Sequence, residues 1–180
     1  PDIQYGVKEL MRKMSKPEAE DVKSLKRVAR YLVGVPRLGQ VFHWQRRPRE
    51  VRVYVDSDFA GCHKTRKSTS GGAVTWGNGT LKTWSKTQTV IALSTGEAEL
   101  AAIVKGSTEA LGIRSLLEDF GINVSDASAA IGMVGREGLG KVRHLAVADL
   151  WVQAKRASTE LAFVKVDGAS NPADALTKGV

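Results

Sequence analysis

The stretch that decides the fold is "VRVYVDSDFAG", residues 51–61. Its first half alternates apolar with other residues and is rich in valine, a period-two pattern that predicts a β-strand. Asp56 and Asp58 follow at the strand end, and residues two positions apart in a strand point to the same face. Two like charges that close repel each other unless a cation or solvent separates them. The pair is therefore either a solvated strand end or half of a metal site.

The residues after this strand predict an α/β layer fold, in which a mixed sheet is covered by helices. "GGAVTW" and "TLKTWS" flank the turn "GNG" at 77–79, which is typical of a β-hairpin. A long helix is expected over 95–120, because Ser94 and Glu97 form a capping box. Its expected core positions are Leu100, Val104, Leu111 and Phe120. The further expected elements are a strand at 122–124, a helix from Ala127, a helix at 142–157, a strand at 161–166 and a short helix with Pro172 at its first position.

The first 48 residues have a helical pattern and form a predicted segment of their own, separate from residues 49–180. "SKPE" at 15–18 predicts a capping box with Ser15 as N-cap. An apolar stripe from Val22 to Leu32 predicts an amphipathic helix, which Gly34 and Pro36 end. "GQVFHW" at 39–44 is compatible with a strand.

Composition indicates a soluble globular chain of 180 residues, 42% hydrophobic and 26% charged. The single cysteine, Cys62, excludes an intrachain disulfide and a cysteine-based zinc cage. No apolar run approaches the ~20 residues of a membrane helix, so no membrane partner is expected. The net charge is +8, of which +6 falls in residues 1–50. Such a basic segment either neutralises phosphates or simply solubilises a helix surface. The chain opens on "PDIQYG" without an initiator methionine, so we expect a fragment of a longer protein.

Four acidic residues fall at the ends of predicted elements, where functional sites on such sheets usually lie. They are Asp56, Glu99, Asp126 and Asp174. Each alone is more often a helix cap or a solvated terminus, since helix dipoles also stabilise carboxylates. Together they are the oxygen-ligand set that hard divalent cations prefer. A pair of such ions can activate a water on one side of a phosphorus and stabilise the leaving oxygen on the other.

These residues lie in motifs that resemble a known family. The motifs are "VDSDFAG", "TRKSTSGGAVTWGNGTLKTWSKTQTVIALSTGEAELAA", "SDASAA", "RHL" and "NPADALTK". In this order and spacing they resemble the ribonuclease H domain of copia-type LTR retrotransposon polyproteins. "PDIQYGVKELMRKMS" and "SLKRVARYLVG" resemble the C-terminal end of the reverse transcriptase that precedes it. The resemblance implies a ribonuclease H-like mixed sheet with an N-terminal helical extension.

The resemblance also implies an activity, the cleavage of the RNA strand of RNA–DNA hybrids by two Mg²⁺ ions, for which Mn²⁺ is a plausible substitute. Asp56, Glu99, Asp126 and Asp174 correspond to the family's catalytic metal ligands, and His144 to a mobile histidine that assists proton transfer or product release. For His144 the alternative is a surface histidine at a helix start. Nucleic-acid contacts are expected from Arg66, Lys67, Ser68, Thr69, Arg136, Lys141 and Arg143. For the first four of these, 66–69, the alternative is a solvated turn.

Expected partners are the RNA–DNA hybrid and the reverse transcriptase portion of the same polyprotein, in the cytoplasm or within virus-like particles. Phe59 stands where the family usually has tryptophan, and Ala146 where it often has an acidic residue. Two other hypotheses fit the fold: a non-catalytic hybrid-binding module, and a nuclease of another class such as an integrase, transposase or resolvase. The full carboxylate set favours catalysis over the first, and the specific motifs favour the ribonuclease over the second.

Overall fold

A computed structural model describes residues 1–37, 39–124, 126–131 and 146–178. The strands are β1 (Glu50–Ser57), β2 (Thr69–Trp76), β3 (Gly79–Thr87), β4 (Asp126–Ile131) and β5 (Ala162–Lys165). The helices are α1 (Gln4–Met11), α2 (Ala19–Gly34), α3 (Thr95–Asp119) and α4 (Ala146–Ala157), followed by two 3₁₀ turns, Gly168–Ser170 and Asp174–Leu176. No helix in this described part is long and apolar enough to cross a membrane.

The five strands form one mixed sheet in the order β3-β2-β1-β4-β5. The pairs β1–β2 and β2–β3 are antiparallel, whereas β4 runs parallel to both β1 and β5. This confirms the predicted α/β class and the hairpin at 77–79, where Gly77 has the left-handed φ of +59° that such a turn requires. The central strand β1 is thereby flanked on both sides, so its carboxyl end is held firmly.

The core lies between α3 and one face of the sheet. Val51, Val53 and Val55 are at most 1% exposed and point to this face, as the period-two pattern predicts. Gly106 of α3 lies so close to β1 that a Cβ there would come within 2.3 Å of a Val55 methyl carbon. Trp84 of β3 is 7% exposed and fills the same layer over Gly72.

The opposite face of the sheet carries α1 and the C-terminal turn. A Cβ on Gly71 would lie 2.8 Å from both the Leu176 and the Thr177 side chains, so the turn lies directly on β2. The Gln4 side chain of α1 donates to the Thr83 carbonyl of β3 at 3.1 Å. The division into 1–48 and 49–180 stays a prediction, but α1 contacts the sheet across it.

Several predicted details of the helices are wrong. The N-cap of α2 is Glu18, which forms a reciprocal capping box with Asp21, so Ser15 does not cap this helix. The apolar stripe of α2 stays at the surface, with Leu25 55% and Leu32 48% exposed. Phe120 is 73% exposed, because α3 ends at Asp119 and the chain turns away at Gly121 with a φ of +70°.

Three predicted elements are also placed differently. Residues 39–44 form no strand; the Gln40 and Gln45 side chains instead hydrogen-bond to the backbone of the β2–β3 hairpin. Residues 122–124 form no strand either, and β4 begins two residues later, at Asp126. The helix expected from Ala127 is therefore wrong over 127–131, which pair with β1 as a strand.

Candidate active site

Asp56 lies near the carboxyl end of β1, on the sheet face opposite α3. Its Oδ2 accepts a hydrogen bond from the Thr177 hydroxyl of the C-terminal turn at 2.5 Å. Burial raises the pKa of Asp56, and the nearby charge of Asp174 adds to the rise, whereas the Thr177 hydroxyl and the Lys178 ammonium lower it. Asp56 is thus a half-buried carboxyl group whose surroundings disfavour its negative charge.

Glu99 lies in the second turn of α3, above the same strand end. The helix begins here because the Ser94 hydroxyl accepts from the Glu97 backbone N–H at 3.2 Å, which leaves Glu97 in the cap and Glu99 facing inward. Burial raises the pKa of Glu99, and the charge of Asp56 raises it further. The charges of the two carboxylates therefore interact near the end of β1.

Asp174 opens the last 3₁₀ turn, which is anchored to β1. Asn171, 5% exposed, donates from Nδ2 to the Val55 carbonyl at 3.0 Å and accepts from the Ala173 backbone N–H. The Asp174 carboxylate forms an ion pair with Lys178 one turn later. Asp174 is thus brought close enough to raise the pKa of Asp56, while its own charge is neutralised by Lys178.

Asp58 lies just after the end of β1 and has partners other than Asp56. Its Oδ1 accepts from the Thr69 backbone N–H at 2.5 Å, and its own N–H donates to the Thr69 carbonyl at 3.1 Å. Both bonds close the base of the loop that joins β1 to β2. The two aspartates of "DSD" therefore have different roles, Asp56 in the acidic cluster and Asp58 in the loop.

The backbone of Asp126 lies at the other end of β1 from Asp56. It is the first residue of β4 and pairs with Glu50 at the start of β1, whereas Val55, beside Asp56, pairs with Ile131. At ~3.3 Å per residue, six positions of register separate the Asp126 backbone from the Asp56 end by roughly 20 Å. That all four carboxylates meet therefore stays a prediction for Asp126, which was expected just after a strand and is instead the first residue of β4.

Three of the four predicted metal ligands interact electrostatically near the carboxyl end of β1. Asp56, Glu99 and Asp174 offer oxygen donors only. Burial and the charge of a neighbouring carboxylate raise the pKa of Asp56 and of Glu99. A bound cation would lower the energetic cost of these negative charges. Within the described ranges, however, no three His, Cys, Asp or Glu side chains lie close enough to hold one ion. The donor chemistry suits Mg²⁺, and binding would require Asp174 to exchange its ammonium partner, Lys178, for the metal.

The predicted nucleic-acid contacts divide into two groups. Arg66 is exposed and Lys67 half-buried in the β1–β2 loop, where both stay candidates for phosphate contacts. Ser68 is 0% and Thr69 3% exposed. Their hydroxyls accept from the Ala60 N–H and the Lys8 ammonium, so both are engaged within the protein, and their contact with nucleic acid stays a prediction. His144, Arg136, Lys141 and Arg143 lie outside the described residues.

Sequence reasoning missed three residues that shape the cluster, Asn171, Thr177 and Lys178. All three lie in "NPADALTK", and their spacing around Asp174 is the only signal of their roles. Asn171 and Thr177 have partners on β1 that are 116 and 121 positions away, Val55 and Asp56, whereas Lys178 pairs with Asp174 in the same motif.

The sheet order, with the acidic cluster at the end of its central strand, defines a ribonuclease H-like domain. One solved structure with this fold is the N-terminal RNase H domain of a Mycobacterium tuberculosis protein, crystallised as a fusion with maltose-binding protein. It superposes with a TM-score of 0.52 at 17% sequence identity and covers 71% of this chain and 95% of the other. At that identity the likeness concerns the fold alone.

The chain belongs to the Pol polyproteins of copia-type retrotransposons. It is 31% identical over 186 residues to the retrovirus-related Pol polyprotein from transposon RE1 of Arabidopsis thaliana, covering 99% of this chain. It is 29% identical over 187 residues to that from transposon TNT 1-94 of Nicotiana tabacum, covering 100% of this chain. The chain spans only 13–14% of the length of these relatives. No protein-family model matches it.

Proposed function

We propose that this chain is a ribonuclease H that hydrolyses the RNA strand of RNA–DNA hybrids during reverse transcription of a retrotransposon. The observation that carries the proposal is the position of Asp56 at one end of the central strand, where it is hydrogen-bonded to the turn of Asp174 and its charge interacts with those of Asp174 and Glu99. Burial and the neighbouring carboxylate raise the pKa of both Asp56 and Glu99. Raised carboxyl pKa values at a shared site are a frequent property of functional centres.

Asp56, Glu99 and Asp174 would hold Mg²⁺, with Asp126 as a fourth candidate ligand. Two such ions, when bound, activate the attacking water and stabilise the leaving oxygen of an in-line displacement. The chain's own contribution is positioning. The Thr177 hydroxyl fixes the Asp56 carboxylate, the α3 cap orients the turn that carries Glu99, and Asn171 holds the turn of Asp174 against β1. The expected products carry a 3′-hydroxyl and a 5′-phosphate.

The proposed partners are the hybrid and the reverse transcriptase portion of the same polyprotein, and the proposed compartment is the cytoplasm or a virus-like particle within it. The length of the relatives supports this assignment, because each is about seven times as long as this chain. A domain that covers so small a share of a polyprotein would act beside the other parts of that protein.

A second candidate function is a non-catalytic module that grips the hybrid for a polymerase. Two observations favour it: the register that places Asp126 away from Asp56, and the ion pair that neutralises Asp174. The structure of the cluster would then serve folding alone, and the chain would bind hybrid without cutting it.

A cleavage assay on an RNA–DNA hybrid with end-labelled RNA separates these functions. The wild-type chain should cut the RNA strand in Mg²⁺ and stop in EDTA. Asp56→Asn and Glu99→Gln, purified identically, should lose at least a hundredfold in rate, whereas Asp119→Asn, at the exposed far end of α3, should keep the wild-type rate. Hybrid binding without cutting would favour the non-catalytic module, and cutting of duplex DNA would indicate another nuclease class. Equal rates for Asp56→Asn and wild type would rule out the proposed site.

A further inference from the structure

Helix α1 is fastened to the β1–β2 loop, residues 58–68, and to the first residue of β2. The Lys8 ammonium donates to the Thr69 hydroxyl at 2.8 Å. One turn later, the Arg12 guanidinium donates to the Cys62 sulfur at 3.0 Å and contacts the Thr65 hydroxyl at 3.5 Å. The N-terminal helix therefore holds this loop at its C-terminal end and near its middle.

The loop has a conformation that needs such support. Ala60 and Arg66 both have a left-handed backbone, with φ of 53° and 55°. For residues other than glycine this geometry costs about 1 kcal/mol or more, and it persists only where surrounding contacts impose it. Within the loop, the Ser68 hydroxyl accepts from the Ala60 N–H, and the Arg66 N–H donates to the Cys62 carbonyl. Arg12 contacts the same Cys62, so α1 stabilises the turn on which Arg66 is carried.

Lys8 is an internal support and is poorly placed to be a phosphate ligand. Its side chain is 13% exposed, and its ammonium also pairs with Glu9 at 2.8 Å and lies 4.4 Å from the centre of the Tyr5 ring. Three neighbours thus occupy this ammonium. By contrast, Arg66 on the loop is exposed to solvent, as a contact to a nucleic-acid backbone requires.

We propose that Lys8 and Arg12 are positioning residues for hybrid recognition, which hold the β1–β2 loop so that Arg66 and Lys67 meet the phosphates. The inference rests on the proposed function, since it names how the same site takes its substrate. Helix α1 would then contribute to substrate binding, although it precedes the ribonuclease H-like sheet in the chain.

Positioning and direct contact differ in their salt dependence. A residue that neutralises one phosphate adds about 0.9 to the slope of log K against log salt, whereas a residue that only shapes the loop adds nothing of its own.

Hybrid binding is therefore measured in EDTA over a salt series for Lys8→Met, Arg12→Met and Lys67→Met. Lys26→Met serves as the matched control, because Lys26 is an exposed lysine of α2. We expect Lys8→Met and Arg12→Met to weaken binding roughly fivefold to tenfold. In an Arg66→Met/Lys67→Met background they should have no further effect on affinity or slope, because the loop then has no phosphate contact left to position. Lys67→Met should lower the slope by about one, and Lys26→Met should bind like wild type.

Amide hydrogen exchange supplies a readout that does not depend on substrate. Exchange across residues 58–69 should be faster in Lys8→Met and Arg12→Met and unchanged in Lys67→Met and Lys26→Met. A further loss of affinity or slope from Lys8→Met or Arg12→Met in the Arg66→Met/Lys67→Met background would identify direct phosphate contacts and overturn the proposal, as would wild-type loop exchange in both variants. If the wild-type chain binds no hybrid, the proposed function fails and hybrid positioning with it. Binding without cutting would remove the nuclease assignment and leave this inference intact.

Discussion

The side chain of Asn171 donates a hydrogen bond to the backbone carbonyl of Val55, 116 positions earlier in the chain, at 3.0 Å. The same amide accepts from the Ala173 backbone N–H at 3.0 Å, and the residue is 5% exposed. Because Asp56 follows Val55 and Asp174 follows Ala173, one buried amide fixes the two carboxylates relative to each other.

Replacing Asn171 by alanine should lower the free energy of unfolding by about 1–3 kcal/mol. The substitution removes both hydrogen bonds and leaves buried polar backbone groups with fewer partners. Urea denaturation measures the loss. Asn123→Ala is the matched control, since Asn123 is exposed, and it should stay within about 0.5 kcal/mol of wild type. An Asn171→Ala protein as stable as that control would show that the amide does not hold the turn.

Replacing Gly106 by alanine should destabilise the protein by about 1–3 kcal/mol and displace the end of β1. The new Cβ would lie 2.3 Å from a Val55 methyl carbon, so helix α3 must move away from the strand or Val55 must shift. Since Val55 precedes Asp56, cleavage should fall together with stability. Thermal unfolding and the hybrid assay measure the two effects.

Gly112→Ala, in the same helix, is the control for this experiment. A Cβ at Gly112 has nothing within 4 Å, so the substitution only removes the helix-interior penalty of glycine and should stabilise the protein by up to about 1 kcal/mol. If both substitutions changed the free energy of unfolding in the same direction, the close approach of α3 to β1 would not be the reason for glycine at position 106.

Local periodicity predicted much of this fold. The alternation in "VRVYV" and the turn at 77–79 predicted β1 and the β2–β3 hairpin, and the Ser94 cap predicted the start of α3 correctly. Such signals succeed because pleat, turn and cap depend on residues close in sequence. The position of β4 was not predicted, because the register of a parallel strand is set by tertiary contacts that "INVSDASAAI" does not specify.

The site was predictable in its residue types more than in its contacts. The period-two rule predicted Asp56 and Asp58 on one sheet face, yet β1 ends at Ser57, and the rule does not reveal that the Thr69 N–H donates to Asp58. Nor does any local pattern connect Arg12 with Cys62, which are 50 positions apart. Contacts of this kind depend on how separate elements pack, which a single sequence does not encode locally.

Alkylation of Cys62 should have a midpoint near pH 7. A hydrogen bond from Thr65 and another from Arg12 lower the pKa of this thiol to about 7 by favouring the thiolate, which is the reactive form. Because Cys62 is the only cysteine, the rate of reaction with iodoacetamide reports this site alone. Thr65→Val and Arg12→Met should each move the midpoint upward, and urea-unfolded protein should react with a midpoint near ~8.5.

The same thiol should contribute to stability above its unfolded pKa. Its pKa is lower in the folded state, so the contribution is complete above ~8.5 and is lost as the pH falls through about 7. A Cys62→Ser variant would lack this part of the pH dependence between about pH 9 and pH 6. An unfolded-like midpoint in the native protein would contradict the contacts of Thr65 and Arg12.

Asp56→Asn should stabilise the metal-free protein at neutral pH while it abolishes cleavage. Burial and the charge of Asp174 raise the pKa of Asp56, so the folded state binds a proton more tightly than the unfolded state does. The contribution of Asp56 to the free energy of unfolding is therefore most favourable at low pH and is lost as the pH rises through the titration of Asp56. Asparagine carries no charge and can still accept from the Thr177 hydroxyl. We expect a gain of about 1 kcal/mol at pH 7 in EDTA, or roughly 2–4 °C in Tm, that shrinks toward zero at acidic pH.

Added Mg²⁺ should raise the Tm of wild type more than that of Asp56→Asn, because ligands stabilise the state that binds them. If the Tm of Asp56→Asn in EDTA is at or below that of wild type, and Mg²⁺ does not change the Tm of wild type, then Asp56 is a structural residue and not a metal ligand.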